Sequence, residues 1–467
     1  MEKYDLVIIG GGAGAFAAAI GANDLKKKTV VINAGLPLGG TCVNVGCLPS
    51  KILLHAGEVL YMTKNHKING IELELKNFDF KKVVEDEIQM VKDSRDDKYT
   101  KVLDSLEHVS LIEGMAKFVS KNEVEVNKKT IQGDKFIIAT GSKANVPDIK
   151  NIEEVGYLTH IEALELKKQP KEMAIVGSGP VGLEFAQMYS RFGTKITILQ
   201  RGDNVFSSGE EELINKLVEI LKSEGIDIKT GVSVKSARKE GDKKILSYEV
   251  DGKEEEISVD QILLASGKTA NTKNLGLDLV GVETVKNHSI KVDENFKTSN
   301  ENIFAIGDAA YLPVRLETTA GHEGTLVAKN ALDGKKESIN YNEVPSVIFT
   351  DPQYASVGQT EEMQFKETGT CACRTVSFDK IPKAQIIRRE EGMIKMGIDP
   401  KTKVIVGVHI LAPNAGDLIS QAMVLIKNKN TIDDVLNMTP VFPTLAESIK
   451  YVSLSFTKDL SKLSCCI

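Results

Sequence analysis

The cysteines are the residues of this 467-residue chain whose spacing most directly suggests chemistry. Cys42 and Cys47 lie in the stretch GGTCVNVGCLPSK (39–51), and four residues separate them, unlike the C-x-x-C spacing of thioredoxins. On a regular helix, positions five apart are turned by about 140° around the axis, so Gly46 is predicted to kink the chain and bring the sulfurs together. Lys51 and a helix N-terminus would favour the thiolate form. We therefore interpret Cys42 and Cys47 as a redox dithiol rather than as two inert buried thiols.

The remaining four cysteines form two closer pairs. Cys465 and Cys466 are adjacent, so their Cα atoms lie about 3.8 Å apart, short of the roughly 4.4–6.8 Å of a relaxed disulfide. They are predicted to act as a dithiol or as a clamp for a soft ion. A C-a-a-X lipid anchor is disfavoured because Ser464 takes the fourth place from the end. Cys371 and Cys373 could share one face of a strand and bind metal, but an ordinary pair of strand residues is the favoured interpretation.

Two stretches have the pattern of an apolar strand, a glycine turn and a helix. The strand Leu6–Ile9 leads into GGGAGA, and the strand Met173–Val176 leads into GSGPVG. Each fits G-x-G-x-x-G/A, in which the glycines make a tight turn and let the backbone approach a pyrophosphate at a helix N-terminus. Two such motifs predict two dinucleotide sites, for which a flavin and a nicotinamide are the natural pair. The motif residues predicted to contact the cofactors are Gly10, Gly12, Gly14, Ala15, Gly177, Gly179, Val181 and Gly182.

After each motif, the residue at the end of the next strand is the one expected to hydrogen-bond the ribose of the dinucleotide. Asn33 ends the strand after the first motif, where a carboxylate normally binds a ribose hydroxyl, so it can hydrogen-bond without a charge. Gln200 holds the corresponding place in the second unit and is followed by Arg201. Because no acid repels a 2′-phosphate and Arg201 can bind it, NADPH is predicted over NADH. The alternative is that Arg201 is only a surface residue.

Composition narrows the classes of partner and location. The net charge of −6 and the pI of about 5.8 give no electrostatic case for nucleic acid or for an anionic membrane. The apolar N-terminal run lacks a basic leader, and no stretch is long and apolar enough to span a bilayer. Six cysteines in a chain of this length do not suggest a disulfide framework. We expect a cytoplasmic protein that has neither a nucleic acid nor a membrane as partner.

The stretch GGTCVNVGCLPSK is similar to the active-site signature of the flavoprotein disulfide reductases, the class I pyridine nucleotide-disulfide oxidoreductases. The same resemblance extends over nearly the whole chain through GGGAGA, GMAKF (114–118), IATGS, GSGPVGLE, IFAIGDAA and SVIFTDPQYASVG (346–358). It implies an α/β fold with two Rossmann-like domains, for FAD and NAD(P), and a C-terminal α/β dimerisation domain. The implied segments are 1–147 for the first part of the FAD domain, 148–270 for NAD(P), 271–340 for the central part that completes the FAD domain, and 341–467 for dimerisation.

The resemblance also implies roles for individual residues. Cys47 would be the thiol next to the flavin, and Cys42 the interchange thiol that meets the substrate. Lys51 and Glu184 would form an ion pair beside flavin N5. Further residues implied to bind the cofactors are Ala116 at the adenine, Asp308 at the ribityl chain, and Gly40, Thr41, Thr140, Gly141, Gly267 and Ala320.

One departure bears on the substrate. Family members that act on organic disulfides or dithiols carry His-Pro-Thr-x-x-Glu near the C-terminus, and the His is their general acid and base. This chain has VFPTLAE, in which Phe442 cannot carry a proton and Glu447 has no imidazole to orient. Hg(II) is a soft ion that thiolates bind without such a base. The chain resembles mercuric reductases in lacking the His and in ending with a vicinal cysteine pair. Many of these enzymes have a Tyr where Phe442 stands, so the non-sulfur ligands of Hg(II) stay open.

The function implied by the resemblance is NADPH- and FAD-dependent reduction of Hg(II) to Hg(0), for mercury detoxification. In a homodimer, Cys465 and Cys466 would take Hg(II) from thiol complexes and pass it to Cys42 and Cys47 of the other subunit. One alternative is a thiol or disulfide reductase similar to dihydrolipoamide dehydrogenase or glutathione reductase. The other is a non-catalytic thiol buffer for metal ions, which the two dinucleotide motifs disfavour because a buffer needs neither.

Overall fold

The computed structural model describes residues 2–462 and Ser464. Cys465 and Cys466 therefore lie outside the described residues. The first third of the chain contains β1 (Glu2–Ile9), α1 (Ala13–Asp24), β2 (Thr29–Asn33), α2 (Gly40–Val45), α3 (Cys47–Asn65), α4 (Phe80–Arg95), a π-helical turn (Asp96–Thr100), α5 (Lys101–Asp104), β3 (Val109–Glu113), β4 (Lys117–Ser120), β5 (Glu123–Val126), β6 (Lys129–Ile138), β7 (Ser142–Ala144), α6 (Ile152–Val155) and α7 (His160–Leu164).

The middle of the chain begins at the second glycine motif. It contains β8 (Glu172–Val176), α8 (Pro180–Phe192), β9 (Lys195–Leu199), α9 (Glu211–Ser223), β10 (Asp227–Lys229), β11 (Ser233–Glu240), β12 (Lys243–Val250), β13 (Lys253–Val259), β14 (Gln261–Leu264), β15 (Lys268–Ala270), β16 (Ile303–Ala305) and α10 (Glu317–Asp333). Short 3₁₀ turns at Leu277–Val280, Lys286–His288 and Gly307–Ala309 lie between β15 and α10.

The last part of the chain is a second mixture of strands and helices. It contains β17 (Ser346–Ile348), β18 (Gln353–Gly358), α11 (Glu361–Thr368), β19 (Ala372–Ser377), α12 (Pro382–Ile386), β20 (Met393–Ile398), β21 (Ile405–Ala412), α13 (Ala415–Lys427), α14 (Ile432–Leu436) and α15 (Glu447–Leu454), with 3₁₀ turns at Tyr341–Glu343, Phe378–Lys380 and Leu460–Lys462.

Two parallel sheets carry the two glycine motifs. In the first, β3, β2, β1 and β6 lie side by side in parallel, β16 pairs with the other side of β6, and β5 and β4 continue as an antiparallel ribbon. In the second, the parallel order is β10-β9-β8-β14. Their central strands are continuous apolar runs because both faces of a parallel sheet are covered in such folds. The predicted α/β fold is confirmed.

Antiparallel sheets complete the architecture. The strands β11, β12 and β13 form a three-stranded sheet, and β7 pairs with β15 in a two-stranded ribbon. The last part of the chain forms a five-stranded antiparallel sheet in the order β17-β18-β21-β20-β19. Among the described residues, no helix has both the length and the apolar character that a bilayer crossing requires. The segment boundaries expected at 147, 270 and 340 stay predictions.

Close packing of two helices fixes the surroundings of the first glycine motif. The helix α1 is rich in alanine and glycine, so α10 approaches it closely. A Cβ on Gly324 would lie 2.2 Å from the carbonyl oxygen of Gly14, which leaves no room for any side chain there. This crossing brings the N-terminal end of α10, at Glu317, to the side of the first sheet where the glycine turn lies.

A buried ion cluster around Arg191 joins the second parallel sheet region to the last part of the chain. The Arg191 side chain on α8 is only 4% exposed, and its guanidinium contacts Glu224 at 2.8 Å and Asp351 at 3.0 Å. It also lies over the ring of Tyr61, 4.1 Å from the centroid. The flanking carboxylates hold the pKa of Arg191 above its usual value against the effect of burial. Arg191 thus connects three segments through charge-assisted bonds.

We expect Arg191→Ala to lower the free energy of unfolding by about 3–5 kcal/mol, because it leaves the Glu224 carboxylate buried without its partner. The measurement is urea denaturation followed by far-UV circular dichroism. The matched control is Arg238→Ala, whose guanidinium also contacts two carboxylates, of Glu240 and Glu256, but at the surface. The control should leave the unfolding midpoint nearly unchanged, and equal effects of both variants would contradict this role of Arg191.

Candidate active site

The two cysteines of the GGTCVNVGCLPSK stretch lie on either side of a helix break. The helix α2 ends at Val45, α3 begins at Cys47, and Gly46 between them has φ −135° and ψ −109°. A Cβ at Gly46 would lie 2.8 Å from the carbonyl oxygen of Thr41, so the two helices can meet at this angle only without a side chain. The predicted kink at Gly46 is confirmed.

The environments of the two thiols differ although they hydrogen-bond to each other. The hydrogen bond from Cys42, followed by the positive charge of Lys51, lowers the pKa of Cys47 to about 7, although burial opposes this shift. The same hydrogen bond and burial raise the pKa of Cys42 well above its usual value. Of the two, the Cys47 sulfur therefore carries a negative charge more readily, and Cys42 is the thiol that donates to it. The Glu317 carboxylate raises the pKa of both.

The predicted ion pair between α3 and α8 is formed. Lys51 Nζ lies 2.7 Å from Glu184 Oε2, and the other carboxylate oxygen of Glu184 accepts a hydrogen bond from the Phe349 N–H at 2.9 Å. The Lys51 ammonium also lies over the Phe349 ring, 4.5 Å from the centroid. Because Glu184 is buried, this pair fixes the Lys51 side chain one turn beyond Cys47.

The first glycine turn forms a cradle beside the dithiol. Gly10 has φ +127° and a Cβ there would lie 2.2 Å from the carbonyl oxygen of Ala139, so only glycine fits. The hydroxyl of Thr140 is buried and has no hydrogen-bond partner among the described residues, which leaves it available to a ligand. Asp308 accepts a hydrogen bond from Ser142 at 2.5 Å. This combination of a tight turn, an unpaired hydroxyl and a nearby carboxylate fits the FAD expected from the sequence.

The dithiol segment is attached directly to this turn. The N–H of Gly39 donates to the carbonyl oxygen of Gly11 at 2.8 Å, and Gly12 and Gly39 form a parallel bridge. A Cβ on Gly40 would lie 2.7 Å from the Cα of Gly12. The start of α2, with Thr41 and Cys42, is therefore held against the first glycine turn.

Asn33 does not face this site as a free amide. It is buried, its side-chain N–H groups donate to the carbonyl oxygen of Leu36 and to the Glu113 carboxylate at 3.1 Å, and its Oδ1 packs against Gly11. Glu113 ends the neighbouring strand β3. Position 33 has no carboxylate, but the carboxylate of Glu113 lies next to it on the adjacent strand β3. The spacing of residues after a glycine motif cannot predict this neighbour, because it comes from another strand.

The second glycine turn repeats the first. Gly177 has φ +109° and packs against Ala265, a Cβ on Gly179 would meet nothing within 4 Å, and the buried Ser178 hydroxyl has no partner among the described residues. Gln200 Oε1 accepts a hydrogen bond from the Ser178 N–H at 3.2 Å, and the neighbouring Arg201 is exposed. These features fit a second dinucleotide, with Arg201 free to meet a phosphate.

Other predicted cofactor residues lie around the two turns. Gly14 and Ala15 lie in the first turn of α1, and Val181 and Gly182 lie in the first turn of α8. Ala116 is buried between β3 and β4, Gly141 and Gly267 flank the β7–β15 ribbon, and Ala320 lies on α10 against Gly14. Thr41 and Gly40 belong to α2.

The segment that carries a histidine in disulfide-acting relatives is exposed here. The Phe442 side chain is 49% exposed, and Glu447 is buried and accepts a hydrogen bond from the Thr444 N–H at 3.0 Å. Glu447 thus accepts from the backbone two residues before the N-cap of α15, and position 442 offers it no imidazole to orient. Cys465 and Cys466, the predicted acquisition site for the metal ion, lie outside the described residues.

Comparison with known proteins identifies the family. Residues 4–332 match the family of pyridine nucleotide-disulphide oxidoreductases, and residues 344–452 match the dimerisation domain of that family. The chain belongs to the pyridine nucleotide-disulphide oxidoreductases. This oxidoreductase is 37% identical over 464 residues to a mercuric reductase of Bacillus cereus, a match that covers 99% of this chain and 73% of the relative.

Other members of the family are also similar to this oxidoreductase. The mitochondrial dihydrolipoyl dehydrogenase of Pisum sativum is 32% identical over 471 residues, with 97% of this chain and 91% of the relative covered. A Cu(II) complex of the HOCl-induced flavoprotein disulfide reductase RclA from Escherichia coli has a TM-score of 0.88 at 25% identity, covering 98% of this chain and all of that chain. The resemblance drawn from the motifs is confirmed, and FAD and NAD(P)H are the cofactors expected of this oxidoreductase.

Two residues near the dithiol are not found by sequence reasoning. Burial and the neighbouring thiols raise the pKa of Tyr99 to about 12, and its ring packs edge-on against Phe16, 4.8 Å between centroids. Glu317 at the start of α10 acts on the pKa of both thiols. Both residues come from segments far from the cysteines in the chain and belong to no motif, so only the packing of the π-helical turn and of α10 reveals them.

We expect Lys51→Gln to raise the pKa of Cys47 by about one pH unit, because it removes the positive charge that favours the thiolate. Alkylation of Cys47 in the reduced protein by iodoacetamide, followed by peptide mass spectrometry across pH, measures this shift. Lys64→Gln on the same helix α3 is the control and should leave the midpoint near 7. An unchanged midpoint in the Lys51 variant would assign the low pKa to the Cys42 hydrogen bond alone.

Proposed function

We propose that this oxidoreductase reduces Hg(II) to Hg(0) with electrons from NADPH. The observation that carries the proposal is the pairing of the Cys42 and Cys47 dithiol with Phe442 where an acid–base histidine would stand. An organic disulfide or dithiol needs a group that moves a proton during exchange. A soft dication bound by two thiolates needs none, because the ion itself replaces the protons.

The residues of the dithiol segment have different roles in binding the ion. Both sulfurs become ligands of the ion: Cys42, the thiol predicted to meet the substrate, loses its proton as it binds, and Cys47 carries the negative charge of the pair more readily. Lys51 keeps Cys47 charged, and Glu184 keeps Lys51 in place through the 2.7 Å ion pair. Glu317, whose carboxylate raises the pKa of both thiols, and Tyr99, whose own pKa the thiols raise, are the oxygen-bearing candidates for the non-sulfur ligands that Phe442 does not supply.

The balance of the reaction is NADPH plus Hg(II) giving NADP⁺, a proton and Hg(0). FAD, when bound, supplies the two-electron relay between the nicotinamide and the dithiol side of the site. The Thr140 hydroxyl, the Gly10 turn and Asp308 would hold it, and Glu113 oriented by Asn33 would meet its ribose.

Delivery of the ion involves the end of the chain. In a homodimer built through the family's dimerisation domain, Cys465 and Cys466 of the partner subunit would take Hg(II) from thiol complexes and pass it to Cys42 and Cys47. The match of residues 344–452 to that domain and the similarity to mercuric reductases support this arrangement. We propose the cytoplasm as its location, where cellular thiols keep both cysteine pairs reduced.

Purified holoenzyme should oxidise NADPH when given Hg(II) with excess thiol and should release volatile mercury. We expect Cys42→Ala to lower this turnover by at least about a hundredfold, because it removes a sulfur that binds the ion. The control is Cys371→Ala, which removes a half-buried thiol far along the chain and should retain wild-type turnover. Turnover that persists in the Cys42 variant would refute the mechanism.

We expect Arg201→Ala to lower the ratio of kcat/KM for NADPH to that for NADH by about ten- to a hundredfold, since it removes the charge that binds the 2′-phosphate. Steady-state kinetics with both nucleotides measures the ratio, and Arg238→Ala is the control on the neighbouring antiparallel sheet. A loss that is equal for the two nucleotides would show that Arg201 does not select between them.

A second candidate is the reduction of an organic or protein disulfide. The 32% identity to dihydrolipoyl dehydrogenase of Pisum sativum favours it, and Phe442 disfavours it. Activity with glutathione disulfide or lipoamide that exceeds the activity with Hg(II) would select this candidate. Stoichiometric Hg(II) binding without NADPH oxidation would instead indicate a thiol buffer.

A further inference from the structure

The pair Cys371 and Cys373 lies at the edge of the five-stranded sheet, in a different part of the fold from the dithiol. Cys373 is on the edge strand β19, Cys371 immediately precedes it, and their sulfurs face each other at 2.7 Å as free thiols. The sequence left open that the two side chains share one strand face, and their sulfurs do lie together, although Cys371 is outside the strand itself. Glu361, the first residue of α11, brings Oε1 to 3.1 Å from the Cys371 sulfur.

These three groups form a compact set of metal-ligand atoms. The two sulfurs and one Glu361 oxygen all lie within 4.8 Å of one another. A fourth donor comes from α11, where Gln364 Oε1 lies 3.9 Å from the Cys373 sulfur. The sequence favoured an ordinary cysteine pair because the carboxylate and the amide come from a helix whose approach to β19 the spacing does not reveal.

The Gln364 side chain is built into this position. It is only 5% exposed, and its Nε2 has no hydrogen-bond partner among the described residues. Gly397 is the residue opposite Cys373 on β20, and a Cβ there would lie 2.0 Å from Gln364 Nε2. A glycine on the neighbouring strand therefore makes the space in which the buried Gln364 amide lies beside the thiols, with its Oε1 3.9 Å from the Cys373 sulfur.

The charges behind this cluster orient it and favour a cation. Lys395 Nζ contacts Glu361 Oε2, which leaves Oε1 turned towards Cys371. The same ammonium lies 2.7 Å from Glu210 and 3.3 Å from Glu212, so three carboxylates surround one lysine. The net charge of this outer layer is negative, and Lys395 fixes the ligand carboxylate as outer groups do in metal sites.

The separation of the sulfurs distinguishes between kinds of ion. With metal–sulfur bonds of about 2.3 Å, a tetrahedral ion holds two sulfurs about 3.8 Å apart, and a linear two-coordinate ion holds them about 4.6 Å apart. Two free thiols relax from 2.7 Å to an ordinary non-bonded separation of about 3.5–4.0 Å, which includes the tetrahedral value, and the Glu361 oxygen lies beside them. The linear arrangement would separate the sulfurs further and would leave the oxygen unused.

We propose that Cys371, Cys373 and Glu361 bind a tetrahedral divalent ion of the Zn(II) class, with the Gln364 carbonyl oxygen at the fourth position. Binding forms two metal–sulfur bonds and releases two thiol protons to solvent, with no change of oxidation state. The ion ties α11 to the edge strand β19 of the domain that matches the family's dimerisation domain. The site is separate from the proposed reduction of Hg(II) and does not depend on it.

The test uses holoenzyme in which the other four cysteines are replaced, Cys42→Ser, Cys47→Ser, Cys465→Ser and Cys466→Ser, with flavin absorbance as the check of folding. Co(II) added to this protein should give the intense d–d absorption of a tetrahedral thiolate site, to the red of the flavin bands, with a stoichiometry of one per chain. Zn(II) should remove this absorption and raise the melting temperature. Adding Cys371→Ser and Cys373→Ser should abolish all three effects.

The carboxylate is tested with a matched pair of neighbours on α11. We expect Glu361→Gln to weaken Zn(II) binding by at least about tenfold, in competition with a chromophoric chelator. Glu362→Gln removes the same charge one residue away, from a side chain that pairs with Lys366 in solvent, and should leave the affinity unchanged. An equal loss of Zn(II) affinity in both variants would show that Glu361 acts only through its charge and would overturn its role as a ligand.

A second measurement tests the proposal even if the variant with four replaced cysteines does not fold. The otherwise wild-type protein and its Cys371→Ser, Cys373→Ser variant are dialysed against Zn(II), and metal content per chain is measured. The variant should hold one equivalent fewer and keep its turnover of NADPH. Equal metal content, absence of the tetrahedral Co(II) spectrum, or binding of Hg(II) but not of Zn(II) or Co(II) would each overturn the proposal.

Discussion

The hydrogen bond from the Gly39 N–H to the Gly11 carbonyl oxygen is the constraint on which the site depends. It holds the start of α2 against the first glycine turn, so the thiols cannot move independently of that cradle. The helix is then interrupted at Gly46, and the chain continues as α3, whose first turns carry Cys47 and Lys51. The Lys51–Glu184 pair and the hydrogen bond from Phe349 to Glu184 then attach the same segment to the second nucleotide unit and to the last part of the chain.

The asymmetry of the two thiols follows from this placement. Glu317 raises the pKa of both, yet only Cys47 receives a hydrogen bond from the other thiol and the field of Lys51, so the negative charge of the pair favours Cys47. An uncharged substrate would leave the second proton to be moved by a base. A divalent soft ion brings the charge that makes both sulfurs ionise. The electrostatics of the pair and the phenylalanine at position 442 are therefore consistent with each other.

Much of the fold is predictable because its signals are local. The glycine turns, the helix break at Gly46 and the apolar parallel strands each depend on residues a few positions apart. The features that the sequence does not predict depend on residues that come from distant segments of the chain. Glu113 lies beside Asn33 because β3 lies beside β2, and Tyr99 and Glu317 come near the thiols because the π-helical turn and α10 pack there. No spacing rule in a single sequence contains these approaches.

The same limit explains why two cysteine pairs of one chain have different chemistry. A lysine on the same helix accompanies Cys47, and a cation beside a thiol favours the free thiolate that exchanges electrons and ligands. A carboxylate and a buried amide accompany Cys371 and Cys373, and these groups disfavour a free thiolate but supply donors to a cation. The residue type and close spacing are shared. The charge next to each pair of thiols favours either exchange of electrons and ligands or stable binding of a cation, and the fold places that charge.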